Sequence, residues 1–324
     1  MLPLGAGVMV AVLLNANPLL FAPLLLADLW LLGYHHVVAT YTRLASDRQT
    51  FNANRFLALD LLVIVVAATL ALAFTAGAWV VASAFLYLQW FHYMRQGYGI
   101  SRMFYRAKSA TQSPSAGPLA RDWTTDLVIY LVPIYGIAQR SATTGDMFLN
   151  MPVKALVLPG PMMFALGSAA GAAVGVWGLR VVRDMMRGQL DVAHTMFVAS
   201  HVLIFQLAYV VIDDGNAGWL AINVWHNMQY VMVVWMINAK RYAKGIDPSA
   251  RLLSTISQPG RVALYFATCI AISTVIYLGL ARVTPLVLGG GLAATVGVYM
   301  GINFHHYIVD ALIWKRRRPV PQPA

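Results

Sequence analysis

Asn303-Phe304-His305-His306-Tyr307, followed one turn later by Asp310 and then by Trp314 and the basic run Lys315, Arg316, Arg317 and Arg318, decides how this chain is read. Two adjacent histidines and a carboxylate lie inside a segment otherwise apolar enough for lipid. Ionisable groups at that depth are costly unless paired, wet or bound to a metal, so they mark a functional site. Tyr34-His35-His36 repeats the doublet near the other end of the chain. The surrounding composition agrees with a membrane setting: 59% of the 324 residues are hydrophobic and only 11% charged, with a mean hydropathy of +0.65. The net charge of +11 does not point to nucleic acid, because the basic residues sit at the ends of apolar runs. Cys269 is the single cysteine, so no intrachain disulfide and no cysteine-based zinc or iron–sulfur site can form. All 12 acidic residues are aspartate, which excludes a glutamate-rich di-iron bundle. Met1 to Leu14 lacks a basic n-region and a small-residue cleavage site, so no cleavable signal peptide is expected.

Apolar runs of spanning length predict an all-α integral membrane protein with about nine to ten transmembrane helices in one bundle. The spans are placed at residues 4–15, 18–43, 56–76, 78–104, 122–139, 162–183, 192–212, 217–239, 262–281 and 285–314, the first being short. Residues 107–121 read as a loop, and Met147 to Pro161 as an interfacial or re-entrant piece. If the N-terminus is cytoplasmic and the segments alternate, all of the 23 Lys and Arg residues except Arg140, Lys154 and Arg282 face the cytoplasm. Both termini are then cytoplasmic, and a bacterial inner membrane is the expected location.

On that topology the histidines share a layer. His35, His36, His92, His201, His305 and His306 lie roughly 11 to 15 Å from the cytoplasmic end, and His226 roughly 21 Å, at 1.5 Å per residue. Several neutral imidazoles crowded in a low-dielectric site make sense around a shared cation, and imidazole is the usual ligand of iron, copper and zinc. Adjacent helical residues point about 100° apart. Each doublet therefore supplies either two metals, or one ligand and one supporting partner. Asp310, one turn after His306, can orient a ring. His194 reads as a bonded core histidine near the surface.

These stations resemble the Brp/Blh family of membrane carotenoid dioxygenases. Tyr34-His35-His36 stands where that family has a histidine before a small-residue turn, and His92-Tyr93 to Gly97 where it has a histidine before an aromatic and a polar stretch. His226 matches the first of a histidine pair four apart, whose second place Tyr230 takes, and His305 with Asp310 resembles the family's near-terminal station. The resemblance implies iron held by histidines and oxygen-dependent cleavage of a carotene.

Together these features predict a non-haem oxidoreductase or oxygenase with one or two iron ions, or another transition metal. It would act with O₂ on a lipophilic substrate entering from the bilayer, with an electron donor as a further partner. The ligands expected are His35, His92, His201, His226 and His305, with His36 and His306 completing a second metal or a supporting shell. Asp310 would orient a ring, and Tyr230 would ligate or donate a hydrogen bond to oxygen. The competing readings are a haem-binding electron carrier, and a proton or metal transporter using the histidine layer as a relay.

Overall fold

The computed structural model describes residues 1–112 and 122–313. Trp314, the basic run after it, the proline-rich tail and the 113–121 part of the expected loop lie outside the described residues. The described chain is almost wholly helical: α1 (Leu2–Ala16), α2 (Pro18–Leu44), α3 (Arg48–Thr75), α4 (Ala78–Gln112), α5 (Trp123–Thr143), α6 (Gly160–Met186), α7 (Val192–Val211), α8 (Gly215–Arg241), α9 (Arg251–Ile256), α10 (Val262–Leu288) and α11 (Leu292–Ile313). Five of them, α2, α3, α6, α7 and α10, are long and apolar enough to cross a membrane. Their lipid-soluble side chains point outward, as Leu286, Phe164 and Val275 do, while all eight histidines are buried. That polarity is the reverse of a soluble domain and fits a hydrocarbon surround.

Several features differ from expectation, among them the start of the third helix, at Arg48 rather than residue 56. The fourth helix continues through Gln112, past the point where the loop was placed. The break expected between residues 281 and 285 falls at Gly289, because α10 carries Pro285 in its last turn and stops where Gly289 takes φ +80°, a value that glycine tolerates best. Between α5 and α6 a small antiparallel hairpin pairs Met147–Phe148 (β1) with Met151–Pro152 (β2). Its turn residues, Leu149 and Asn150, both have positive φ, as a two-residue hairpin turn requires.

The chain divides into two compact units, residues 1–16 with 86–222 and residues 17–85 with 223–324. In the first, α5 packs on α6 and α7. Its N-terminus is capped by Asp122, which accepts from the N–H groups of Thr124 and Thr125. In the second, α2, α8 and α11 run parallel. His36 meets His226 and Thr40 meets Tyr230, while Arg241 at the end of α8 reaches Ser46 at the end of α2. On α11, His306 meets His36 and Val309 packs with Leu44. Helix α3 runs the other way: Leu57 faces His305, Val66 faces Gly301 and Leu70 faces Gly297. A Cβ on Gly297 would come within 2.6 Å of Leu70 Cδ2, so the close α3–α11 contact depends on glycine there. Helix α10 is also antiparallel to α2, pairing Trp30 with Thr274 and His35 with Phe266.

Each of α2, α3 and α7 contains one π-helical turn, at Leu29–Gly33, Phe56–Asp60 and Leu207–Val211. Such a turn sends an N–H five residues back and releases the carbonyl it would otherwise have used. In α3 the Leu61 N–H goes to Phe56, and the Leu57 carbonyl is left to accept from His305 Nε2 at 2.7 Å. In α7 the Ile212 N–H goes to Leu207, and Arg140 Nη2 donates to the Ala208 carbonyl at 3.1 Å. Arg140 also donates to the carbonyls of Ile212 and Asp213, closing the C-terminal end of α7.

Candidate functional site

Three i, i+4 pairs on three parallel helices build the site in the second unit: His36 and Thr40 on α2, His226 and Tyr230 on α8, His306 and Asp310 on α11. Residues four apart share a helix face, one turn above the other. Because the helices run in the same direction, the first members form a histidine tier. The second members form an oxygen tier, roughly 6 Å nearer the C-terminal helix ends at 1.5 Å per residue. All six side chains are buried.

In the histidine tier, the ring of His36 lies 4.8 Å from that of His226 and 4.5 Å from that of His306, centre to centre. The Nε2 atoms of His36 and His306 are 2.7 Å apart, one hydrogen bond. In the oxygen tier, Thr40 Oγ1 is 2.9 Å from His306 Nδ1 and 2.9 Å from the Tyr230 hydroxyl. The Tyr230 hydroxyl donates to Asp310 Oδ1 at 2.8 Å, and its ring stacks on His36 with centres 4.0 Å apart. Arg43, the next face position on α2 after His36 and Thr40, lies within electrostatic reach of both Tyr230 and Asp310.

The donor set suits a transition metal. The His36 and His306 nitrogens face each other with the His226 ring beside His36, and His306 makes a hydrogen bond through its second ring nitrogen, as metal-ligating histidines do. Two imidazole nitrogens sharing one tetrahedral ion at about 2.1 Å each would stand roughly 3.4 Å apart, so His36 and His306 would have to part slightly to admit it.

The other member of each doublet is placed elsewhere. His35, about 100° around the helix from His36, turns towards α10, with its ring edge-on to Phe266 at 5.2 Å. His305 turns towards α3, bonded to the Leu57 carbonyl and 3.4 Å from the Tyr41 hydroxyl. His92, His194 and His201 belong to the first unit. There, the His201 Nε2 lies 3.2 Å from the Ile129 carbonyl. Its ring lies over Gly97, where an added Cβ would approach to 2.5 Å, so Gly97 is what admits the ring. His194 Nε2 is 2.8 Å from Ser101 Oγ, and His92 is buried beside Tyr93 on α4. An apolar groove of about 610 Å³ in the same unit is lined by Tyr135, Phe164, Gly167, Gly171, Val202 and Gln206.

Two residues went unrecognised in the sequence. Thr40 links the tiers; its position one turn after His36 was the signal. Asp28 is a buried carboxylate in the middle of α2, accepting hydrogen bonds from the side-chain amides of Asn223 and Asn227 on α8, the latter at 3.3 Å. An aspartate inside the apolar run Phe21 to Leu32 was a signal of the same kind as His306.

In comparisons with known proteins, no family model, no curated protein and no solved structure matches this chain.

Proposed function

We propose that this chain is an integral membrane oxidoreductase holding a non-haem transition metal, iron in the first instance, that acts with O₂ on a lipophilic substrate drawn from the bilayer. The observation that carries the reading is the meeting of the His36 and His306 Nε2 atoms, 2.7 Å apart in a buried site, with the His226 ring 4.8 Å from that of His36. Polar groups at membrane depth are expensive, and three imidazoles meeting there are best accounted for by a cation they share. Iron would supply the activation of O₂. The chain's own residues would hold the ion, exclude water from the site and keep the rings oriented. The ligand set is narrower than sequence alone suggested, because His35 and His305 face α10 and α3. The resemblance to the carotenoid dioxygenases supports an extended, apolar, unsaturated substrate.

The span count enters this reading too. The directions of α2, α3, α8, α10 and α11 agree with alternation of all ten segments across the membrane, which adds α1, α4, α5, α8 and α11 to the five strongly apolar helices. The positive-inside pattern puts the ends of α2 and α8, with Arg43, Arg48, Lys240 and Arg241, on the cytoplasmic side of a bacterial inner membrane.

Elemental analysis of detergent-purified protein tests the centre. The expected result is iron near one per chain, lost in a His226→Ala variant that purifies equally well. No stoichiometric metal in protein grown with ample iron would overturn the reading. A second reading, a proton relay, has one specific observation in its favour: the hydrogen bonds from His36 through His306, Thr40 and Tyr230 to Asp310 are continuous. Metal-free protein that carries protons in vesicles would put the relay first. A haem carried between His36 and His306 is disfavoured, because axial nitrogens on opposite faces of a porphyrin cannot stand one hydrogen bond apart.

A further inference from the structure

We infer that Thr40, Tyr230 and Asp310 form a positioning chain that fixes the tautomer of His306, protonated on Nδ1 and with the Nε2 lone pair aimed at the centre of the histidine tier. The inference rests on the metal-centre reading for its purpose, though not for its geometry.

The direction of every hydrogen bond follows from one end. An ionised carboxylate only accepts, and Asp310 has the Arg43 guanidinium within electrostatic reach. Tyr230 therefore spends its single proton on Asp310, over 2.8 Å. Its hydroxyl oxygen is left to accept from Thr40, over 2.9 Å, and that takes the one proton Thr40 has in preference to the His36 carbonyl 3.5 Å away. Thr40 Oγ1 must then accept from His306 Nδ1, over 2.9 Å. In a neutral ring with its proton on Nδ1, Nε2 is a lone pair, and this is the atom 2.7 Å from His36 Nε2.

Two consequences separate this from general packing. Tyr230 is not a ligand: its hydroxyl proton and an oxygen lone pair are already committed to Asp310 and Thr40. Asp310 acts on His306 through two intervening hydroxyls, although both residues lie on the same helix one turn apart.

The test is ¹⁵N NMR of histidine-labelled, metal-free protein in detergent, with His306 assigned by difference from a His306→Asn variant. The wild type is expected to show His306 with Nδ1 protonated and Nε2 bare. Thr40→Ser should keep that state. Tyr230→Phe frees the Thr40 proton to point at Nδ1 and should move the ring proton to Nε2, and Thr40→Val should release the preference altogether. Titration of the same proteins with Fe²⁺ under anaerobic conditions should show roughly 10- to 100-fold weaker binding for Thr40→Val and Tyr230→Phe, with Thr40→Ser close to wild type. A wild-type His306 protonated on Nε2, or one whose tautomer ignores Tyr230→Phe, would overturn the chain. So would a tyrosinate-to-metal charge-transfer absorption in the ferric protein that disappears in Tyr230→Phe. A tautomer that responds as expected in protein that binds no iron would overturn the metal reading and leave the chain standing.

Discussion

A doublet of histidines on a helix divides its labour by geometry, because neighbouring side chains point about 100° apart. His36 and His306 enter the tier while His35 and His305 go to the flanking helices, and the released Leu57 carbonyl gives His305 a partner there. The sequence held this as an alternative, one ligand and one supporting partner per doublet, but could not say which member faces which way. That depends on the π-helical turn at Leu29–Gly33, which adds a residue to a turn of α2 just before Tyr34-His35-His36 and so rotates the rest of the helix. Asp28 stands on the far side of that turn, where it ties α2 to Asn223 and Asn227. Replacing Asp28 by Ala leaves two buried carboxamides without their acceptor and is expected to cost about 2 kcal/mol. Asp28→Asn, which keeps an acceptor oxygen, should cost clearly less. Thermal unfolding in detergent measures both, and equal losses would mean that the carboxylate charge matters more than the hydrogen bonds.

At the scale of elements, helix placement was legible because lipid imposes a simple rule on length and polarity, whereas helix ends follow local chemistry that hydropathy blurs. The span expected to end at 281 continues through Pro285 within α10; Gly289 is the stop, through its positive φ. The turn between α2 and α3 shows how such ends are held. Asp47 caps α3, accepting from the Thr50 N–H at 2.7 Å, from the Thr50 and Ser46 hydroxyls, and lying 3.5 Å from Arg241 Nη2. Partial burial pushes its carboxyl pKa up, but the Thr50 and Ser46 bonds and the Arg241 charge outweigh this and hold it below the ordinary carboxylate range. A depressed folded-state value stabilises the protein above the unfolded value, near pH 4, and that contribution fades as pH falls through the lower folded value. Asp47→Ala should therefore unfold about 1 kcal/mol more easily at neutral pH, with a gap that closes in acid. A gap that does not change with pH would leave the cap without its charge component. The α3–α11 contact makes a second test, since Gly297→Leu has to push Leu70 aside. It should destabilise by about 2 kcal/mol, read as a lower midpoint of thermal unfolding.

For the whole molecule, the sequence pointed to a membrane class that the five long apolar helices fit, and it could not supply the meeting of particular rings. Depth along a helix follows from counting residues, but azimuth depends on which helices pack together, and the parallel set α2, α8 and α11 joins segments that are far apart in the chain. Those directions bear on topology, and topology can be measured with one reagent because Cys269 is the single cysteine and is buried. In a Cys269→Ala background, Gln49→Cys and Lys244→Cys sit at exposed positions after the ends of α2 and α8, while Ala76→Cys and Gly290→Cys sit at exposed positions after α3 and α10. A membrane-impermeant maleimide applied to sealed, right-side-out vesicles is expected to label Ala76→Cys and Gly290→Cys, and to label Gln49→Cys and Lys244→Cys only after the membrane is opened. The reverse pattern would keep the alternation and invert the orientation, placing the oxygen tier with Asp310 towards the outer face. Labelling that splits either pair would break the alternation itself, and with it the parallel arrangement of α2 and α8 on which the two-tier site depends.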